Sequence, residues 1–424
     1  MLRGCGVLAV ALLGSEAARA QSSGDPGSAV AQFLSEQRIT TWARADYYQS
    51  SNNLDGERNF FGGTLQAKAL PRLTDWVDGK VELRLTAPDL RDRRGYRAQS
   101  QLLEGYTTLH FKRVDLRLGK QILAWGRADG INPTDNLTPR DYRVLLPLEE
   151  DQRFGTWGAR LDTYLSQALT LEMFASTFFE PARFPLPTGG ADVVIQQPGH
   201  SVRNGEVGVK LNKVSGAFDW SVSYYRGYSL LPTVASADSV FQLYYSRMQV
   251  IGADCARNYG RFGFRSEFAY VLPQDHPSAD PNATRARLFW VSGLDRTFLE
   301  NLNLNLQFFL RWMPRYQKPG DLPDGTARVA SELNAIIDGQ EVRASPGITF
   351  RVSNQWLNNT LRAEILSLIN LARGDYYLRP LITYDVSDRT RVLFGANLYG
   401  GPRDAPYGIQ RPDNGLFTEI RYAL

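Results

Sequence analysis

The chain is poor in the residues on which most metalloproteins and many hydrolases rely. Among 424 residues there are two cysteines, Cys5 and Cys255, and three histidines, His110, His200 and His276. So few cysteines exclude a disulfide scaffold and a Cys-based metal site, and the histidines are too far apart in strand register to cluster. No H-x-x-x-H, G-x-S-x-G or phosphate-loop spacing occurs, so neither catalytic residues, nor a metal, nor a cofactor is expected. Long hydrophobic runs are missing as well. Beyond the N-terminus no stretch approaches the roughly 20 apolar residues that a helical membrane span needs. Lysine is scarce, seven among 48 basic residues, and the formal net charge is only +4. The basic residues are spread without blocks, which argues against a nucleic-acid partner.

The N-terminus carries an export pattern. Arg3 precedes the apolar stretch Gly4 to Gly14, and Ala18-Arg19-Ala20 supplies the small-x-small cleavage site before Gln21. Residues 1–20 read as a signal peptide and 21–36 as a short periplasmic segment. Within the latter, Val30, Phe33 and Leu34 have helical spacing. Residues 37–424 read as one domain.

In that domain apolar and polar side chains alternate with a period of two, in segments about ten residues long, the signature of a membrane β-barrel. From Leu302 to Trp312 the even positions are apolar and the odd ones polar, with Phe309 the exception. Val77 to Ala87 and Arg261 to Tyr270 repeat the pattern with charges on one face. Short links such as Lys112-Arg113, Ser166-Gln167 and Ser387 to Arg389 alternate with long ones such as Ala124 to Asp151, Glu180 to Arg203 and Arg315 to Val342. The count comes to about eighteen antiparallel strands, sixteen being the alternative. The chain ends in an amphipathic strand, with Leu416, Ile420, Tyr422 and Leu424 on one face. Trp157, Trp220, Trp290, Trp312 and Tyr384 sit where interfacial girdles belong.

An Arg or Lys facing lipid at the bilayer midplane costs about 2–4 kcal/mol, so the charged faces must line the lumen. The inward solute-binding candidates are Arg84, Arg117, Arg160, Arg265, Arg287, Arg311, Arg351, Arg362 and Arg379, with Glu82, Glu267 and Glu364. Counted over every inward position, the wall is nearly balanced in sign. Strict alternation puts Lys120 on the lipid face, which calls for a bulge near Gly119 or for snorkelling. The Trp125 to Asp151 segment is longer than a connector needs and is expected to fold inward, a solvated external cap being the alternative. Its constriction candidates are Trp125, Arg127, Asp129, Asn132, Asp135, Arg140, Asp141 and Arg143, with Trp125 also suited to anchoring at the membrane interface.

The stretch Arg117-Leu-Gly-Lys-Gln-Ile-Leu-Ala-Trp-Gly126, then Gly130-Ile-Asn-Pro-Thr-Asp135, Arg143 and Leu145-Leu-Pro147, resembles a strand-to-loop signature of a poorly characterised Gram-negative barrel family of porin-like and alginate-export-like proteins. Leu378-Arg-Pro-Leu-Ile-Thr-Tyr-Asp385 and Gly395-Ala-Asn-Leu-Tyr-Gly400 are similar to its end hairpin. The resemblance implies an all-β transmembrane barrel in the outer membrane, assembled by the barrel-assembly machinery and surrounded by lipid. The expected function is passive diffusion of hydrophilic, anionic or oligomeric solutes through a charged lumen. Two alternatives stand beside it. One is an exopolysaccharide export conduit with periplasmic partners; the other is a carrier for amphipathic molecules, suggested by inward Leu366, Leu368 and Leu381.

Overall fold

The structure is a computed structural model that describes residues 38–54, 57–87, 98–142, 149–184, 193–237, 240–274, 285–323 and 325–424. The expected signal peptide, the 21–36 segment and Arg143 lie outside the described residues.

Eighteen antiparallel strands form one closed barrel. They are β1 (Thr40–Leu54), β2 (Glu57–Ala69), β3 (Val77–Ala87), β4 (Gln99–His110), β5 (Val114–Gln121) and β6 (Thr156–Tyr164). Next come β7 (Leu169–Ser176), β8 (Glu206–Lys213), β9 (Asp219–Tyr228), β10 (Arg247–Tyr259), β11 (Phe262–Pro273) and β12 (Arg287–Phe298). The set is completed by β13 (Leu302–Trp312), β14 (Ala344–Trp356), β15 (Leu361–Asn370), β16 (Asp375–Asp385), β17 (Thr390–Gly400) and β18 (Gly415–Ala423). Each strand pairs with its sequence neighbour, and β1 closes on β18 from Trp42 opposite Ala423 to Ser50 opposite Gly415. Closure leaves no ladder edge, as a hydrocarbon environment requires.

The period of two is visible in the exposures. On β13, Leu304, Leu306 and Trp312 are exposed on the outside while Asn305, Gln307 and Phe309 are buried inside. Leu85, Val222, Ile251, Phe394 and Ile420 extend the same exposed apolar belt around the barrel. In water such a belt would be a liability; against acyl chains it is the solvent match. Trp157, Trp290, Trp312 and Tyr384 lie on this outer surface.

One end of the barrel carries tight turns. At the β12–β13 turn three residues, Leu299 to Asn301, join Phe298 to its ladder partner Leu302, and Leu299 and Glu300 both have positive φ, 44° and 66°, the left-handed backbone on which tight hairpin turns draw. The other end carries the long loops. There Thr233–Ala237 and Val240–Tyr244 form a hairpin that Val193–Gln196 joins in parallel. Helix α1 (Thr326–Asp338) lies against it, with the Asn334 amide donating to the Val234 carbonyl and accepting from its N–H at 2.8 and 2.7 Å. A one-turn helix, α2 (Pro406–Ile409), lies in the last long loop.

Candidate functional site: a loop folded against an arginine wall

The β5–β6 connection turns into the barrel, and its apolar residues explain why. Leu123, Trp125 and Leu137 are almost fully buried against Phe174, Tyr225, Met248, Val250, Ala269 and Val271. Those wall residues belong to β7, β9, β10 and β11 and face the lumen. A second contact sets Ala128 and Ile131 on Val291 and Phe309. Phe309, the exception to alternation on its strand, is thus part of the loop's seat. Trp125 does not anchor at the membrane interface; it is 2% exposed inside the barrel, where its indole N–H donates to Glu172 at 2.6 Å.

Polar contacts fix what the apolar seat positions. The Glu267 carboxylate, 1% exposed, accepts from the backbone N–H groups of Arg127, Ala128 and Thr134 at 3.0, 3.1 and 2.8 Å, and from the Thr134 hydroxyl at 2.8 Å. One wall side chain therefore satisfies three loop amides that would otherwise be buried unpaired. Gly126 is required beside it. Its φ is +96°, and a Cβ there would lie 2.5 Å from a Glu267 oxygen. The Arg127 guanidinium bonds Asp254 and donates to Asn212 at 2.6 Å. Asp129 crosses to the far wall, accepting from Asn305 at 3.2 Å and pairing with Arg351. The Gln307 amide, in the orientation that satisfies both of its ends, donates to the Asp129 carbonyl at 2.7 Å and accepts from its N–H at 2.8 Å.

The loop's return limb is clamped by charge. Arg44 forks onto both Asp151 carboxylate oxygens at 2.8 and 3.0 Å, and Arg421 adds a bond at 2.9 Å. Burial opposes ionisation of Asp151, but the Arg44 hydrogen bond and the charges of Arg44, Arg421 and Arg84 outweigh it and hold the carboxyl below its usual range. Asp135 pairs with Arg153 at 2.6 Å, and there burial wins, lifting its carboxyl above the usual range despite Arg153 and Arg140. Asp141, 2% exposed, pairs with Arg183 of the next long loop at 3.3 Å.

Between this loop and the uncovered wall lies a cavity of about 460 Å³. Asp129, Gly130, Asn132, Arg140 and Arg153 line it from the loop side; Arg351, Arg362, Arg379, Arg391 and Arg421 line it from β14 to β18, with Glu364 among them. Seven arginines thus face two carboxylates. Behind this lining, Asp135, Asp385, Asp151 and Glu419 pair with Arg153, Arg391 and Arg421. The remaining expected lumen residues lie outside this cavity. Arg84 donates to Gln66 at 3.4 Å, Glu82 bonds Lys80 at 2.8 Å, and Arg117 stacks on Tyr106 at 4.4 Å. Arg160 bridges Asp162 and Glu172, both at 2.9 Å; Arg265 meets Asp295 at 3.5 Å and Arg287 meets Asp338 of α1 at 2.8 Å. Arg311 stacks on Phe289 and Phe309 at 4.5 and 5.1 Å.

Lys120 is not on the lipid face. Gly119, at φ +131°, turns the strand end, and Lys120 is 5% exposed with its ammonium donating to both Glu180 oxygens at 2.9 and 2.8 Å. A register shift at Leu103, opposite on β4, accompanies the turn.

No curated protein sequence matches the chain. Among solved structures, the barrel is similar to Pseudomonas aeruginosa OccK5 (OpdH), with a TM-score of 0.53 at 10% identity over 91% of this chain and 97% of that one. It is similar to Pseudomonas aeruginosa OpdK, solved with vanillate, with a TM-score of 0.53 at 9% identity over 91% and 98%. Acinetobacter baumannii OccAB4 gives 0.52 at 9% identity over 91% and 97%. At such identities the shared property is the fold, that of Gram-negative outer-membrane porins. Family membership is settled by sequence instead: residues 22–365 match one family model, and the chain belongs to the family described as "Protein of unknown function (DUF1302)".

Proposed function

We propose that the protein is an outer-membrane channel that lets small anionic solutes diffuse down their gradients through the cavity between the inward loop and the arginine wall. The observation that carries this reading is the arginine-rich lining of the narrowed lumen, seven guanidinium groups beside two carboxylates, with Arg362 making no ion pair among the described residues. A guanidinium keeps its charge at any physiological pH and presents a planar fork to carboxylate or phosphate. In a confined lumen with low-dielectric walls such a set raises the local anion concentration and lowers that of cations. A volume of about 460 Å³ suits a small molecule and speaks against a polymer in transit. OpdK, one of the barrels of similar fold, was solved with vanillate, an aromatic carboxylate, and that ligand is a natural first probe.

Single-channel recording of the protein in planar bilayers tests the reading. Under a potassium chloride gradient the reversal potential is expected on the anion-selective side, and vanillate is expected to reduce the chloride current. A folded barrel that does not conduct, or one that prefers potassium, overturns it.

A further inference from the structure

The strand arginines of the cavity are not equivalent. Arg351 is paired with Asp129, Arg379 with Glu364, Arg391 with Asp385, and Arg421 with Glu419 and Asp151. Each of those charges is largely answered inside the protein. Arg362 on β15 is the exception. It is exposed to the cavity, and among the described residues its guanidinium makes no hydrogen bond or ion pair.

The residue directly across the ladder from Arg362 is Thr383 of β16. Thr383 also lines the cavity, and among the described residues its hydroxyl has no hydrogen-bond partner. Cross-strand partners in an antiparallel pair hold their Cβ atoms about 4.5–5.5 Å apart, so a full cation and a free hydroxyl stand side by side on one face of the wall. The surroundings limit what they would take. Glu364, two residues along the same face of β15, already holds Arg379 at 3.5 Å, so among the described residues no unpaired cation stands there to take the second charge of a dianion. Leu366, the next inward residue beyond it, also lines the cavity and offers apolar surface.

We propose that Arg362 and Thr383 form the solute-binding step of the channel, and that the solute is a monocarboxylate with a short apolar body. Its carboxylate takes two N–H bonds from the Arg362 fork and one O–H bond from Thr383, while its chain lies toward Leu366. The paired arginines shape the wall; Arg362 supplies the charge that a solute can claim, and so sets the affinity. This inference rests on the channel reading above and names the chemistry of the same cavity.

The test is block of chloride current by butyrate, with succinate and inorganic phosphate as comparison anions, in planar bilayers holding the full-length protein purified from membranes. For the unaltered channel, butyrate is expected to block at lower concentration than succinate or phosphate. Arg362→Gln is expected to weaken butyrate block about tenfold, the size of one charge-assisted hydrogen bond. Arg362→Lys keeps the charge and loses the fork, so anion selectivity should persist while most of the butyrate block is lost. Thr383→Val should weaken block by a smaller factor without moving the reversal potential. Heat-modifiable migration on gels checks that each variant is a folded barrel.

Unchanged butyrate block in a folded, conducting Arg362→Gln channel overturns the inference and leaves the channel reading intact. Stronger block by succinate or phosphate than by butyrate overturns the assigned solute class. Absence of conductance in the unaltered protein instead removes the channel reading itself.

Discussion

Replacing Glu267 with alanine should unfasten the middle of the inward loop without opening the barrel. The carboxylate accepts three backbone N–H groups and one hydroxyl from Arg127, Ala128 and Thr134. Leaving a buried donor unpaired costs about 1–3 kcal/mol, and water entering the vacated space brings each of the three amides toward the lower end, so the fastened state loses about 3 kcal/mol. That is a shift of about a hundredfold toward a frayed segment. The apolar seat around Trp125 and the Asp151 clamp remain, so fraying is confined to the stretch between them. Single-channel traces should show a larger, noisier open level, and trypsin should gain a cut after Arg127, which is now held by Asp254 and Asn212. Glu267→Gln should share the effect. Its amide oxygen can still accept from Thr134, but its NH2 group confronts the N–H donors of Arg127 and Ala128. A folded Glu267→Ala barrel with unaltered conductance, noise and tryptic pattern would refute the argument that this carboxylate fastens the loop.

Three further outcomes follow from the same construction. Gly126→Ala forces an L residue into a positive-φ position and drives its Cβ to 2.5 Å from a Glu267 oxygen; it should reproduce the noisy channel, and quiet traces would contradict the assigned role of the glycine. Trp125→Ala removes a fully buried ring and its bond to Glu172, costing about 3–5 kcal/mol of loop seating; the heat-modifiability midpoint and tryptic resistance of the loop report it. The Asp151 clamp predicts a pH profile. Because its folded carboxyl titrates below its ordinary value, its contribution is complete above about pH 4 and is lost only as pH falls below that, through the folded value. The clamp, followed by conductance, should therefore hold on acidification to pH 5 and release well below pH 4; an earlier change belongs to Asp135, whose carboxyl is raised, and Asp151→Asn should show the released level at neutral pH and lack the step below pH 4.

The barrel was legible because its rule is local. Alternation in Leu302 to Trp312, the length contrast between links and the amphipathic last strand each report geometry that a strand in lipid imposes on neighbouring residues. The seat of the loop was harder to read, because it consists of departures from that rule. Phe174, Tyr225, Val250, Val271, Val291 and Phe309 are apolar residues on the lumen face, and each taken alone looks like noise in the alternation. Taken together they trace a path across the wall, and that path is the signal that a segment lies against it. Only the interfacial reading of Trp125 fails, and for a related reason: an aromatic residue at a strand end fits an interfacial girdle until a lumen-facing apolar surface is there to receive it. The pairing of the arginines was beyond reach, since it depends on Asp129, Asp135 and Asp151 arriving from a loop whose course the strand pattern does not encode. Arg362 stands apart only once those partners are placed.

The Asp151 clamp has a mechanical side. Arg44 belongs to the first barrel strand and Arg421 to the last, and these two strands form the seam at which the rolled sheet meets itself. A carboxylate from the lumen that grips both sides acts as a clasp across that seam. The hoop is then fastened by something other than its own ladder, and the segment that narrows the passage also resists the ring's being pulled open.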